Sequence, residues 1–166
     1  MRKRDLEIKI TIESILKNSS SGQHLKNYFA ELPDTRIRRA ISILSNSNVY
    51  PGKTTISDDD LSFILYMFSD IKFMKQESFR AFVDAVNILS FTEHQKILLI
   101  NSIKNNIEIL CDTCTFELDT LLENLFEPKE LFQYLEVLAE KRSRHVLQVV
   151  SGILRYKDFR NYPPIA

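Results

Sequence analysis

Residues 92–110, TEHQKILLINSIKNNIEIL, hold Leu99, Ile103, Ile107 and Leu110 at intervals of four, four and three. That is the spacing of one face of an α-helix, and it is incompatible with the alternation of a half-buried strand. Thr92 with Gln95 three residues later forms the reciprocal cap that starts such a helix. The apolar run Ile97-Leu98-Leu99-Ile100 inside it is four residues long, far short of the ~20 needed to cross a bilayer. The stretch therefore predicts an amphipathic helix folded onto a protein core.

The same period extends to both sides. Upstream, Ser57 with Asp60 caps a helix carrying Leu61, Ile64, Leu65 and Phe68, and Phe79, Phe82, Val83, Val86 and Leu89 mark the next. Asp58, Asp59 and Asp60 fall in a first turn, where the helix dipole favours negative charge, so they read as structural rather than as metal ligands. Further back, Leu25, Tyr28, Phe29 and Leu32, then Ile37, Ala40, Ile41 and Leu44, form a hairpin broken at Pro33-Asp34. Leu6, Ile8, Ile10 and Ile12 alternate like a strand, while Ile8, Ile12, Ile15 and Leu16 fit a helix; with no partner strand following, helix is expected.

Downstream, Leu118, Leu121, Leu122 and Leu125 line one helix and Leu131, Phe132, Leu135, Leu138 and Ala139 another, with Pro128 at its first position. Val146, Leu147, Val150, Ile153 and Leu154 form the last. The chain thus reads as all-α, with eight or nine helices in a single domain over 1–160 and a 161–166 tail that Pro163-Pro164 keeps from continuing the helix. Its clearest loop runs from Asn46 to Lys53 around Pro51-Gly52. Leu25, Leu61, Ile97 and Leu131 recur at intervals of 36, 36 and 34 residues, the period of stacked helical hairpins. The expected architecture is an irregular HEAT-like superhelix or a compact helical bundle.

Chemistry-bearing motifs are sparse. Cys111-Asp112-Thr113-Cys114 has no second pair to complete a zinc site and does not follow a strand as redox pairs do, so both cysteines are expected at a helix junction. His24, His94 and His145 are scattered, three glycines allow no phosphate loop, and no nucleophile signature occurs. No catalytic residue, cofactor or metal is expected. Asp5, Glu7, Lys9 and Glu13 interrupt any signal-peptide core after Met1-Arg2-Lys3-Arg4, which makes the cytoplasm the expected compartment.

Charge is segregated instead. Between Asn105 and Glu140 nine acids stand against Lys129 alone, and the sign reverses from Lys141 to Arg160. Such a stretch attracts a cationic protein partner by electrostatic steering, and Glu117, Asp119, Glu123, Glu127, Glu130 and Tyr134 are the expected partner-binding residues. Glu117 and Asp119 border the buried leucine stripe and are expected in water. The clusters Arg2-Lys3-Arg4, Arg36-Ile37-Arg38-Arg39 and Lys141-Arg142-Ser143-Arg144 offer nucleic acid as the alternative partner, but formal net charge is zero and pI about 6.8, where nucleic-acid-binding domains usually exceed ~9.

In size, irregular helical repeats, Asn/Lys/Ile-rich composition and acidic patch, the chain resembles the small helical immunity proteins that neutralise bacterial toxins, including those of contact-dependent growth inhibition. That resemblance implies a cognate toxin domain, such as a nuclease, whose cationic groove the acidic surface would cover. A helical regulator of nucleic acid, or a helical adaptor, is the alternative reading.

Overall fold

The computed structural model describes residues 2–47, 55–141 and 143–156. The loop expected around Pro51-Gly52, Arg142 of the third basic cluster and the 161–166 tail lie outside these residues, as do Lys157, Asp158 and Arg160. Eleven helices occupy what is described: α1 (Lys3–Leu16), α2 (Ser21–Glu31), α3 (Asp34–Asn46), α4 (Asp58–Met67), α5 (Ile71–Met74), α6 (Phe79–Asn87), α7 (Glu93–Asn105), α8 (Ile107–Thr113), α9 (Thr115–Leu125), α10 (Pro128–Ala139) and α11 (Arg144–Tyr156). Among the described residues the β structure is one isolated bridge, Thr55 to Ser90. No described helix is long and apolar enough to cross a membrane.

Two of the eleven helices exceed the expected count. The single turn of α5 begins where the Asp70 side chain accepts the Lys72 amide, and four residues are too few for a period to register. The other arises because the apolar pattern from Leu99 to Leu110 runs unbroken through a backbone break at Asn106 (φ −125°, ψ 22°). The Asn106 amide group donates to Phe68 O (2.8 Å) and Ser102 O (2.9 Å), holding the break in place. At the N-terminus the helical reading is correct: α1 buries Ile8 and Ile12, while Leu6 and Ile10 are 48% and 58% exposed.

The hairpins α2/α3, α4/α6, α7/α9 and α10/α11 follow one another along the chain. In one layer α2 packs on α4 and α4 on α7; in the other α3 packs on α6, α6 on α9 and α9 on α11. Helix α1 closes the first end against α2 and α3, and α10 lies on α9 and α11. A single apolar core runs through the stack. Its middle is aromatic: Phe29, Phe63, Phe68, Phe73, Phe79 and Phe82 are fully buried, in edge or tilted contacts with centroids 5.2–6.2 Å apart.

Polar ties join successive hairpins at separations of 36 to 39 residues. The Gly22 and Gln23 amides donate to the Asp59 carboxylate (2.8 and 3.2 Å), and Ser21 donates to Asp60 (3.2 Å). One step along, the buried Gln95 side chain donates to Ile56 O (3.0 Å) and Asp58 (3.2 Å) while completing the capping box with Thr92. Asn124 likewise reaches Asn87. The three aspartates therefore tie α2, α4 and α7 together within their layer, and Asp59 satisfies two open amides of α2. Of the four residues that mark the sequence period, Leu25, Leu61 and Leu131 are buried, while Ile97 is 56% exposed and Leu99, two residues on, is the buried one.

Candidate functional site: the acidic helices and the groove beside α9

Helix α9 turns Leu118, Leu121, Leu122 and Leu125 into the core. Successive residues point about 100° apart, so Glu117 and Asp119, on either side of Leu118, leave α9 in nearly opposite directions. Glu117 faces α6. Arg80 Nε donates to its Oε1 at 2.8 Å, and the Glu117 side chain is only 10% exposed. Its Oε2 is buried without a hydrogen-bond partner among the described residues. On the same seam the Asp84 carboxyl is pushed up, first by burial and then by the charge of Glu117.

Asp119 faces α11. Its Oδ2 occupies the place a side chain at Gly152 would take: a Cβ there would stand 2.5 Å away. Its Oδ1 is buried and, among the described residues, accepts no hydrogen bond. Burial, with the nearby charge of Glu123, raises this carboxyl to about 7. Above it opens a groove of about 890 Å3, lined by Thr115, Phe116 and Asp119 from α9 and by one face of α11 running from Arg144 through Leu147 and Gly152 to Arg155. Phe116 is 74% exposed on its rim.

The expectation that Glu117 and Asp119 stay in water is therefore corrected. The leucine stripe is narrow, but α6 and α11 flank α9 on both sides and cover the positions that border it. The remaining members of the expected set lie elsewhere. Glu123 is half-buried near Asp119, and Glu127 is exposed at the N-cap of α10. Glu130 and Tyr134 line a second cleft, about 510 Å3, with Lys104, Phe126 and Val137. There the Tyr134 ring stacks on Phe126 (5.2 Å, 12° between planes), and Lys104 Nζ sits 4.9 Å and 5.7 Å over the two rings. Burial raises the Tyr134 hydroxyl pKa, and that hydroxyl has no partner among the described residues.

Cys111 and Cys114 lie where α8 gives way to α9, both fully buried. Burial, supplemented for Cys111 by the charges of Asp119 and Glu108, raises the two thiols to about 12 and 11. They are held as thiols, the form that is neither nucleophile nor metal ligand. Among the described residues no three His, Cys, Asp or Glu side chains converge as metal ligands would. Helix α1 packs on α3, so the first two basic clusters adjoin, and Arg39 Nε binds Asp5 at 3.0 Å.

Phe116, Gly152 and Lys104 are not among the site residues expected from the sequence. Gly152 carried a signal, since a glycine inside a helical pattern marks a close approach. Phe116, an aromatic residue outside the leucine stripe, carried another. Lys104 stands one residue before the acidic stretch and is folded back onto it. Compared with family models, curated proteins and solved structures, the chain finds no match.

Proposed function

We propose that this chain is a non-enzymatic binding module that captures a basic protein through its acidic C-terminal helices. The observation that carries this reading is the set of exposed acids on α8 and on α10 with its caps: Glu108, Asp112, Glu127, Glu130 and Glu140 all face solvent. Surface acids of one sign accelerate encounter with a cationic partner and suppress binding to acidic ones. The role this fits best is the one the sequence resemblance implies, a cytoplasmic immunity protein that covers the basic groove of a toxin domain such as a nuclease. Nucleases need cationic grooves to hold phosphate, so an acidic cover competes directly with substrate.

The test is affinity capture with the full chain beside a Glu127→Lys/Glu130→Lys variant. A basic protein retained by the first and lost by the second, and whose toxicity the first suppresses, supports the proposal. Equal retention by both refutes the acidic surface. The adjoining of Arg2-Lys3-Arg4 with Arg36 and Arg38 favours nucleic acid as a second reading, and a sequence-selective shift at submicromolar protein would put it first.

A further inference from the structure

We propose that the groove between α9 and α11 seats a segment of the partner protein that brings one lysine or arginine to the Asp119 carboxylate and apolar side chains to Phe116 and Leu147. This deepens the binding reading above and rests on it.

The floor of the groove is an acceptor without a donor. Asp119 Oδ1 is buried and unbonded among the described residues, whereas buried polar atoms in folded proteins nearly always have a partner. The position is built for this side chain: the missing Cβ of Gly152 is what gives its other oxygen room. The groove's volume, about 890 Å3, falls in the range of binding pockets, and its rim is apolar, with Phe116 74% and Leu147 37% exposed.

The unpaired carboxylate oxygen, rather than the groove's overall charge, selects the occupant. The charged group that acts on Asp119 is Glu123 on its own helix, and Asp119 in turn raises the Cys111 thiol on α8; neither neighbour compensates its charge. Asp112 and His145 hold each other at 3.2 Å between α8 and α11. Arg80 and Asp84 of α6 act on the opposite side of α9, with Glu117. Arg144 and Arg155 line the groove eleven residues apart, about 16 Å along the helix, and both are exposed. Their charge is spent in water, while that of Asp119 lies on the floor. A cation delivered there gains a charge-assisted hydrogen bond in a partly desolvated site.

The full chain is titrated with three end-blocked peptides, identical except for a central lysine, glutamine or glutamate flanked by leucine and phenylalanine. The lysine peptide should bind at least about tenfold more tightly than the glutamine peptide, and the glutamate peptide should be weakest. The lysine advantage should grow from about pH 5.5 to about pH 8, as Asp119 ionises. Asp119→Asn should make the lysine and glutamine peptides equal. Gly152→Ala, whose methyl would displace the carboxylate, should do the same with helical circular dichroism unchanged.

A preference for glutamate would give the groove to Arg144 and Arg155 and overturn the inference. So would a lysine preference that survives Asp119→Asn, or no binding of any peptide at millimolar concentration. If peptides bind only after residues 157–166 are deleted, the chain's own C-terminal segment is the occupant and the partner is excluded. Capture that fails in the Glu127→Lys/Glu130→Lys variant while the peptides show no discrimination leaves the binding reading standing and removes only this one.

Discussion

The Asp59 carboxylate of α4 accepts the backbone amide of Gly22, at the start of α2, at 2.8 Å, so one hairpin caps the helix of the hairpin before it. The approach is close enough that a Cβ on Gly22 would run into the Asp59 carbonyl oxygen. Backbone, unlike a flexible side chain, cannot step aside. Gly22→Ala should therefore force α2 and α4 apart and cost about 1–3 kcal/mol. Asp59→Ala loses only the cap and should cost less, about 1 kcal/mol. Urea unfolding of the two variants checks the order; equal losses would show that the contact, rather than the cap, has been misread.

Gln95 makes the same kind of tie one hairpin later, and it is buried. Gln95→Leu leaves Ile56 O and the Thr92 amide without their partner and should destabilise by about 1–3 kcal/mol. Gln95→Glu should be worse, because it sets a carboxylate against Asp58 and a carbonyl oxygen. Chemical denaturation of both is the measurement, and a glutamate variant as stable as wild type would contradict the hydrogen-bond assignment.

These ties explain what the sequence could and could not reveal. Helices, caps and the hairpin period were legible because Leu61, Leu99 and Leu118 announce themselves by spacing, and the capping box at Thr92 and Gln95 by residue type. The break at Asn106 was not, since Ile103 and Ile107 keep the apolar face continuous through it. Nor were the polar ties: Asp59, Gln95 and Asn124 meet partners 36 to 39 residues away, and polar residues carry no periodicity of their own. The candidate site was half legible for the same reason. Helical geometry says that Glu117 and Asp119 diverge, but which neighbouring helix covers each is decided by the stacking.

The thiols of Cys111 and Cys114 should be inert in the folded protein. Both are fully buried and their ionisation is pushed up to about 12 and 11. Reaction with a thiol reagent near pH 8 should be slower than that of a free thiol by about a hundredfold or more, and denaturant should release both at once. Rapid native-state labelling of either one would show an accessible thiolate and reopen a redox role.

Asp119 should leave a signature in stability against pH. Its carboxyl lies near 7 in the folded chain against an ordinary 3.8, so between those values the folded state keeps a proton that the unfolded state has lost. Stability should fall as pH rises through that window and level off above it. Below the window both states are protonated and the effect vanishes. Asp119→Asn cannot ionise, so the difference in unfolding free energy between wild type and variant should move steadily in the variant's favour from about pH 4 to about pH 7. A difference independent of pH would place the carboxylate in water.

Charge reversal at the acidic surface has to be confined to residues whose charge faces solvent. Glu117→Lys would put a second cation beside Arg80 in a side-chain position only 10% exposed, and a lysine at 119 would have to displace a carboxylate packed against Gly152. Either could unfold the seam and imitate a loss of binding. Glu127 and Glu130 are exposed at the cap and first turn of α10, where reversal forfeits mainly the helix-dipole term, about 0.3–1 kcal/mol each. The Glu127→Lys/Glu130→Lys protein should therefore keep its fold and lose its speed. Association with the captured partner should slow by about tenfold or more at low salt and become nearly independent of ionic strength, while the wild-type rate falls as salt rises. Unchanged rates would mean that these acids do nothing beyond keeping the face solvated, and the partner would have to be sought on another surface.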